Sequence, residues 1–335
     1  MDWPEWAGQP IWAEGAVMRA IWLREFGGPE VLVPGPAPDP VPGPGQVLID
    51  VAHANITFIE TQLRAGHPGP FRLTPPLIPG NGVGGVITAV GSDVDPALTG
   101  QRVVSATGGS GGYAERTVVD ASATIAVPAG LALDEAVALL ADGRTATMLI
   151  EAVDVRPGDR VLVEAAAGGV GSLLVQLAVR ARARVIGVAG GRRKVDLLPG
   201  LGAELAVDYL LPEWAEQVRA AVGGVDVVLD GVGGSVARAA FDLLSPGGRM
   251  VSFGLASGEW SPVSADAATA RQVTLVRPDV PPDRLRAYTE QALADAAAGQ
   301  LRPLIGQRFP LERAADAHAA IEARATVGKT LLDVA

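Results

Sequence analysis

RVLVEAAAGGVGSLLVQLAVRAR, residues 160–182, is the stretch on which the reading of this chain turns. It opens with Arg160–Glu164, where Val161, Leu162 and Val163 make the continuous apolar run of a short buried strand. A loop of small residues follows, Ala165-Ala166-Ala167-Gly168-Gly169-Val170-Gly171. From Ser172 the period turns helical, with Leu173, Leu174, Leu177 and Ala178 on one face. Strand, glycine loop and helix in that order are the context of a dinucleotide-binding fingerprint. The unpaired N–H groups and positive dipole end of such a helix hold a pyrophosphate, and glycine lets backbone approach the anion without a Cβ in the way. The spacing here is Ala166-x-Gly168-x-x-Gly171, so alanine stands where the first glycine of the triplet usually lies.

A second β-run, Arg184-Val185-Ile186-Gly187-Val188, returns where a βαβ unit requires it and ends in Ala189-Gly190-Gly191-Arg192-Arg193-Lys194. A protein selective for NAD places Asp or Glu about 20 residues past the glycines to hold the ribose 2′-hydroxyl. No acid is present there, and three cations are. Positive charge suits a 2′-phosphate, so the expected cofactor is NADPH. Lysine occurs only at Lys194 and Lys329, all other basic residues being arginine, and Lys194 puts a compact, flexible ammonium in the proposed phosphate loop.

Composition bounds the remainder. With 335 residues, 48% of them apolar and 19% charged, the chain can build two globular domains. The absence of cysteine excludes disulfides, thiolate zinc sites and cysteine nucleophiles together. A net charge of −10 argues against a nucleic-acid partner. The first residues, MDWPEWAGQPIWAEGAV, have acids and no basic segment, so they do not read as a secretory signal, and no apolar run reaches membrane-spanning length. A cytoplasmic protein is expected.

In chain order, residues 1–17 read as an N-terminal extension, a mobile tail ahead of a possible second start at Met18. Prolines at every second position from Pro34 to Pro44 predict an extended connection. From Gln46 short strands punctuated by glycine and proline suggest a small β-barrel. Near Leu133 the period becomes helical, in two stretches, Leu133–Leu140 and Thr145–Val153. Strands then alternate with helices, predicting a doubly wound parallel sheet whose carboxyl ends are Ala165, Ala189, Tyr209, Asp230-Gly231-Val232-Gly233-Gly234 and Phe253-Gly254.

Taken together, Phe26-Gly27-Gly28-Pro29-Glu30-Val31, Gly112-Tyr113-Ala114-Glu115, Ala167-Gly168-Gly169-Val170-Gly171-Ser172, Asp230-Gly231-Val232-Gly233-Gly234 and Gly328-Lys329-Thr330-Leu331 carry a resemblance. From Met18 onward the chain resembles the medium-chain dehydrogenase/reductase superfamily, and within it the zinc-free quinone oxidoreductase group that includes ζ-crystallin. The resemblance implies an α/β protein with a GroES-like β-barrel (18–141 and 272–335) flanking a Rossmann domain (142–271), joined into a homodimer. It implies hydride transfer from NADPH to a quinone or other electron-poor alkene, a small apolar partner. By the same resemblance Thr145 contacts the nicotinamide end, Tyr209 lines the adenosine pocket, and Phe253, Gly254 and Lys329 border the nicotinamide and its ribose.

Zinc-dependent relatives hold a catalytic metal with a cysteine, a Gly-His-Glu stretch and a further ligand. Here Pro79-Gly80-Asn81-Gly82 stands where Gly-His-Glu would lie, so no metal site is expected, and His53, His67 and His318 read as surface or structural residues. Relatives read approximately Gly-Val-Asn-Phe-Ile-Asp-Thr-Tyr before an Arg-Ser-Gly turn. Aligned on Arg64-Ala65-Gly66, Thr57 replaces their asparagine, Glu60 their aspartate and Gln62 their tyrosine. Thr57 and Gln62 are the candidates for stabilising an oxyanion, and Tyr113 or water for supplying the proton. Two other readings stay open: an enoyl reductase acting on a biosynthetic intermediate, and a non-catalytic NADPH-binding protein of the crystallin kind.

Overall fold

A computed structural model describes residues 11–69 and 71–334. The chain divides into two compact units, Met1–Ala141 with Ile305–Ala335, and Asp142–Leu304.

The second unit is built on six parallel strands, in the order Leu205–Asp208, Arg184–Ala189, Arg160–Val163, Val225–Asp230, Leu244–Ser252, Thr274–Val276. Val161, Leu162, Val163, Val227, Val228 and Leu229 are wholly buried. A sheet covered by helices on both faces wants such continuous apolar runs rather than alternation. The strand order reverses between Arg160–Val163 and Val225–Asp230, and the loops leaving the carboxyl ends of those two strands bound the crevice where such folds take ligands.

Residues 272–304, expected with the barrel, group instead with this sheet. Thr274–Val276 pairs in register with Arg249–Val251, and the helix Pro282–Ala297 buries Tyr288, Ala292 and Leu293 within the same unit. The two helical stretches expected after Leu133 are one helix, Leu133–Ala152.

The first unit holds a seven-stranded sheet. Ile305–Pro310 runs parallel to Lys329–Asp333, and the antiparallel strands Gln46–Ile56, Gly82–Val90, Arg102–Ala106 and Thr124–Ala126 follow, with Arg116–Asp120 also on Gln46–Ile56. Ile49, Val47, Ala54, Ile87 and Val103 form its core with Ile21, Leu23 and Leu332.

Two expectations for its N-terminal part are corrected. Within the presumed extension, residues 11–17 belong to the strand Ile11–Leu23, and residues 1–10 lie outside the described residues. The proline-rich connection is itself the strand Leu32–Val41, antiparallel to Ile11–Leu23 from Leu23↔Leu32 to Ile11↔Val41. Proline at every second residue removes the N–H from one side of a strand only, so the other side can still form a ladder. Among the described residues no helix is long and apolar enough to cross a membrane.

Candidate functional site

The glycine loop lies at the carboxyl end of Arg160–Val163. The helix Gly169–Arg180 has Gly168 as its N-cap residue, and its first intrahelical bond runs from Ser172 N–H to Gly168 C=O, 2.9 Å. The N–H groups of Gly169, Val170 and Gly171 precede that bond and are the donors a pyrophosphate would meet. A Cβ on Gly171 would fall 2.2 Å from Ala165 O, so helix and loop are in contact only because that position is glycine. Ala165 stands at φ +46, in the left-handed region, and Ala166 and Ala167 are buried. The alanine in place of the first glycine therefore fits this turn.

At the end of Arg184–Ala189, Gly190 is pressed against the ring of Tyr209, where an added Cβ would come within 3.1 Å of the ring carbons. Gly191 follows at φ +92 and donates its N–H to Asp208 Oδ1 at 2.9 Å, an oxygen that also accepts from Leu210 N–H at 2.9 Å. The carboxylate at the end of Leu205–Asp208 is thus held by backbone. Arg192 and Arg193 are exposed and Lys194 half-buried on the short helix Arg192–Val195, with Arg192 bonded to Asp196. Glycine, tyrosine ring and cations make a cradle suited to adenosine bearing a 2′-phosphate, and the donor set of this unit fits NADPH.

Glycines also bring the next two loops together. A Cβ on Gly254 would lie 2.6 Å from Gly231 O, and one on Gly231 would lie 2.9 Å from the Phe253 ring. Phe253 N–H donates to Asp230 C=O at 2.9 Å. Phe253 and Gly254 are half-buried at the sheet's carboxyl edge. Thr145 is half-buried on the helix Leu133–Ala152.

In the first unit two of the three catalytic candidates, Thr57 and Tyr113, meet around a residue that sequence reasoning noted only as a substitution. Glu60 is 7% exposed. Its Oε2 accepts from the Thr57 N–H and the Thr57 hydroxyl, both at 2.7 Å, and its Oε1 from Asn81 N–H at 3.0 Å and, weakly, from the Tyr113 hydroxyl at 3.4 Å. Burial raises the Glu60 carboxyl above its ordinary value, opposed by the Thr57 bonds, the charge of buried Lys329 and the Asn81 N–H. Thr57 is the N-cap of the helix Phe58–Arg64 and forms a capping box with Glu60. The signal for this hub is Thr-x-x-Glu, legible at residues 57–60.

Tyr113 is fully buried, its hydroxyl 3.0 Å from His318 Nε2. Among the described residues, His318 Nδ1 is buried without a partner. An orphaned ring N–H is worse than an orphaned lone pair, so the chain runs from His318 Nε2–H to the Tyr113 oxygen and from the Tyr113 hydroxyl to Glu60. Burial, then the Arg64 charge, lowers His318 to about 3, and burial, then Glu60, pushes the Tyr113 hydroxyl well above its usual range. Tyr113 thus packs in the interior of its unit. Gln62 is half-buried, one amide N–H going to Thr61 Oγ1 at 3.2 Å.

The donor set around Glu60 does not suit a catalytic zinc. Asn81 is the residue in the relatives' ligand stretch, and its side-chain oxygen accepts Gly109 N–H at 2.8 Å. His53 bonds Asp333 at 2.9 Å and His67 is exposed. Among the described residues no three His, Cys, Asp or Glu side chains come together.

Two known families match parts of this chain. Residues 43–129 match the family described as "Alcohol dehydrogenase GroES-like domain" and residues 201–332 the one described as "Zinc-binding dehydrogenase". The 2-haloacrylate reductase of a Burkholderia species is 33% identical, covering 94% of this chain and 98% of its own. The quinone oxidoreductase of Pseudomonas aeruginosa is 32% identical over 94% of this chain and 99% of its own. A mycobacterial protein solved in complex with NADPH superposes with a TM-score of 0.85 at 35% identity, covering 95% of this chain and all of its own. With its cofactor loop, its strand order and these relatives, the chain belongs to the quinone oxidoreductase group of the medium-chain dehydrogenase/reductase superfamily.

Proposed function

We propose that this protein uses NADPH to reduce an electron-poor alkene, a quinone or an α,β-unsaturated carbonyl compound, without a metal. That it is an NADPH-dependent oxidoreductase follows from its family. The observation that carries the cofactor reading is the cationic run Arg192-Arg193-Lys194 at the end of the second strand, with Asp208, the carboxylate ending the adjacent strand, held by two backbone N–H groups.

When bound, NADPH supplies the hydride. The protein's share is orientation and charge stabilisation. The N–H groups of Gly169, Val170 and Gly171 would hold the pyrophosphate, the Tyr209 ring and Gly190 would pack the adenosine, and the three cations would hold the 2′-phosphate. Gln62 keeps one amide N–H to offer a substrate oxygen as negative charge develops, whereas the Thr57 hydroxyl already donates to Glu60. Water supplies the proton, since Tyr113 is buried and chained between His318 and Glu60. The reading includes a cytoplasmic homodimer.

The test has two parts. A charge-assisted hydrogen bond to phosphate contributes about 1.5–3 kcal/mol, so the variant Arg192→Ala/Arg193→Ala/Lys194→Ala should bind NADPH at least about tenfold more weakly, with NADH unchanged. Equal affinity of the unaltered protein for the two cofactors would end the cofactor assignment. The second part follows NADPH oxidation against 1,4-quinones, enones and 2-haloacrylates. No turnover with any of them, in protein that binds NADPH, would leave a binding role instead.

A further inference from the structure

Two acidic side chains outside the chemistry described above lie fully buried at the switch point of the parallel sheet. Glu164 follows the strand Arg160–Val163 and Asp230 ends the neighbouring strand Val225–Asp230, whose Leu229 pairs with Val163. Both are 0% exposed. Asp230 Oδ1 accepts Val232 N–H at 3.1 Å and Gly233 N–H at 2.7 Å, and Glu164 Oε2 accepts the same Val232 N–H at 3.2 Å. Among the described residues, the other two oxygens, Glu164 Oε1 and Asp230 Oδ2, receive no N–H or O–H from any other group.

Two buried carboxyl groups side by side, each with an oxygen left over, satisfy one another only when one of them keeps a proton. Two full negative charges here would also stand beside the loop that receives a polyanionic cofactor. We propose that Glu164 and Asp230 share one proton and act as a positioning pair, fixing the loop Gly231–Gly233 and keeping one negative charge rather than two beneath the NADPH site. This rests on the cofactor reading given under the proposed function. It implies that NADPH binds only the protonated pair, and that its affinity falls as pH rises past the ionisation of that proton.

Burial, then the charge of Asp230 and the hydrogen bond to it, hold the Glu164 carboxyl well above its ordinary value. At the amino ends of the neighbouring strands Arg160 pairs with Asp226 and Arg184 with Glu204, Arg249 within Leu244–Ser252 pairs with Asp159, and Asp208, at the carboxyl end of Leu205–Asp208, is held by the Gly191 and Leu210 N–H groups. The helix Gly169–Arg180 carries only Arg180, in its last turn, and the helix Gly234–Leu243 only Arg238 and Asp242, bonded to each other. Exposed Glu259 lies over Gly233 and Gly234. Asp230 is therefore the charge that acts on Glu164.

The experiment measures NADPH dissociation constants by fluorescence from pH 6 to 10, together with the melting temperature of cofactor-free protein over the same range. In the unaltered protein the dissociation constant should rise about tenfold per pH unit once the proton is lost. Glu164→Gln keeps an N–H donor towards Asp230 and has no proton to lose, so its profile should be flatter. Its cofactor-free melting temperature should exceed that of the unaltered protein at pH 9, because the unfolded chain no longer gains by releasing a proton that the fold retains. Asp230→Asn removes the charge that opposes ionisation, so the break in affinity should move to lower pH, which gives a second arm should Glu164→Gln not fold. Parallel pH profiles for the unaltered protein and Glu164→Gln, or an unmoved break in Asp230→Asn, would overturn the proposal. Failure to bind NADPH at any pH would instead overturn the cofactor reading.

Discussion

Gly171→Ala puts the cofactor loop under the most direct strain. The added Cβ would lie 2.2 Å from Ala165 O, 2.8 Å from Ala165 C and 2.9 Å from Ala166 Cα. All three are backbone atoms, and Ala165 is already at φ +46, so nothing flexible can move aside. Helix propensity acts the other way, favouring alanine by up to about 1 kcal/mol. Overpacking of this kind costs about 1–3 kcal/mol, leaving a net loss of up to about 2 kcal/mol when the full helix preference is subtracted. For a unit of this size that lowers the melting temperature by about 2–4 °C per kcal/mol. The shift falls on the N–H groups proposed to face the pyrophosphate, so NADPH affinity should drop as well. Gly200→Ala is the control: no heavy atom lies within 4 Å of its Cβ position and its φ is not left-handed, so it should be neutral or stabilising by up to about 1 kcal/mol. Thermal melts and NADPH titrations of the two variants check this. Equal melting temperatures with unchanged affinity would refute the claim that helix and loop touch only because position 171 is glycine.

Thr57→Val loses the cap on the helix Phe58–Arg64 and should destabilise by about 1 kcal/mol in denaturant melts with kcat within about twofold; a fall in kcat of about 10²-fold at unchanged stability would restore the oxyanion role. Tyr113→Phe leaves Glu60 and His318 short of a buried partner and should cost about 1–3 kcal/mol by the same assay. The His318 ring is lowered from 6.5 to about 3, so its contribution is intact above pH 6.5 and is lost as pH falls from there towards about 3, up to roughly 4–5 kcal/mol. Stability measured against pH should show a shallower acid decline in His318→Gln than in the unaltered protein.

The parallel sheet was legible because burial on both faces writes itself into sequence as continuous apolar runs such as Val161-Leu162-Val163. The shape of the glycine loop was legible because its glycines answer to contacts within a few residues, as between Gly171 and Ala165. The N-terminal ribbon was not, since the alternating prolines between Pro34 and Pro40 specify extended backbone but not the partner strand Ile11–Leu23. Residues 272–304 were misassigned because the strand that ties them to the sheet, Thr274–Val276, is three residues long and shows no period. Glu164 gave no signal at all: one acid after a β-run reads as solvated until the neighbouring strand brings Asp230 beside it.

Two of the departures around residue 60, Thr57 and Glu60, answer each other in the fold. The resemblance read from the sequence implies asparagine and aspartate in relatives where this chain has Thr57 and Glu60. Residues three apart across a helix start can cap each other, and here they do: the Glu60 carboxylate accepts both the N–H and the hydroxyl of Thr57 while its other oxygen reaches Asn81 N–H. Aspartate is one methylene shorter and cannot span the same groups from the same backbone position. Glu60→Asp alone should therefore leave the Thr57 N–H or the Asn81 N–H without its acceptor and lower stability by about 1–3 kcal/mol. Asparagine at 57 is itself a strong N-cap, so it no longer needs the long carboxylate. The double variant Thr57→Asn/Glu60→Asp should then lose less than the sum of its single variants, with a coupling of about 0.5–3 kcal/mol in a double-mutant cycle. Additive losses would mean that the two positions changed independently and that the capping box does not link them.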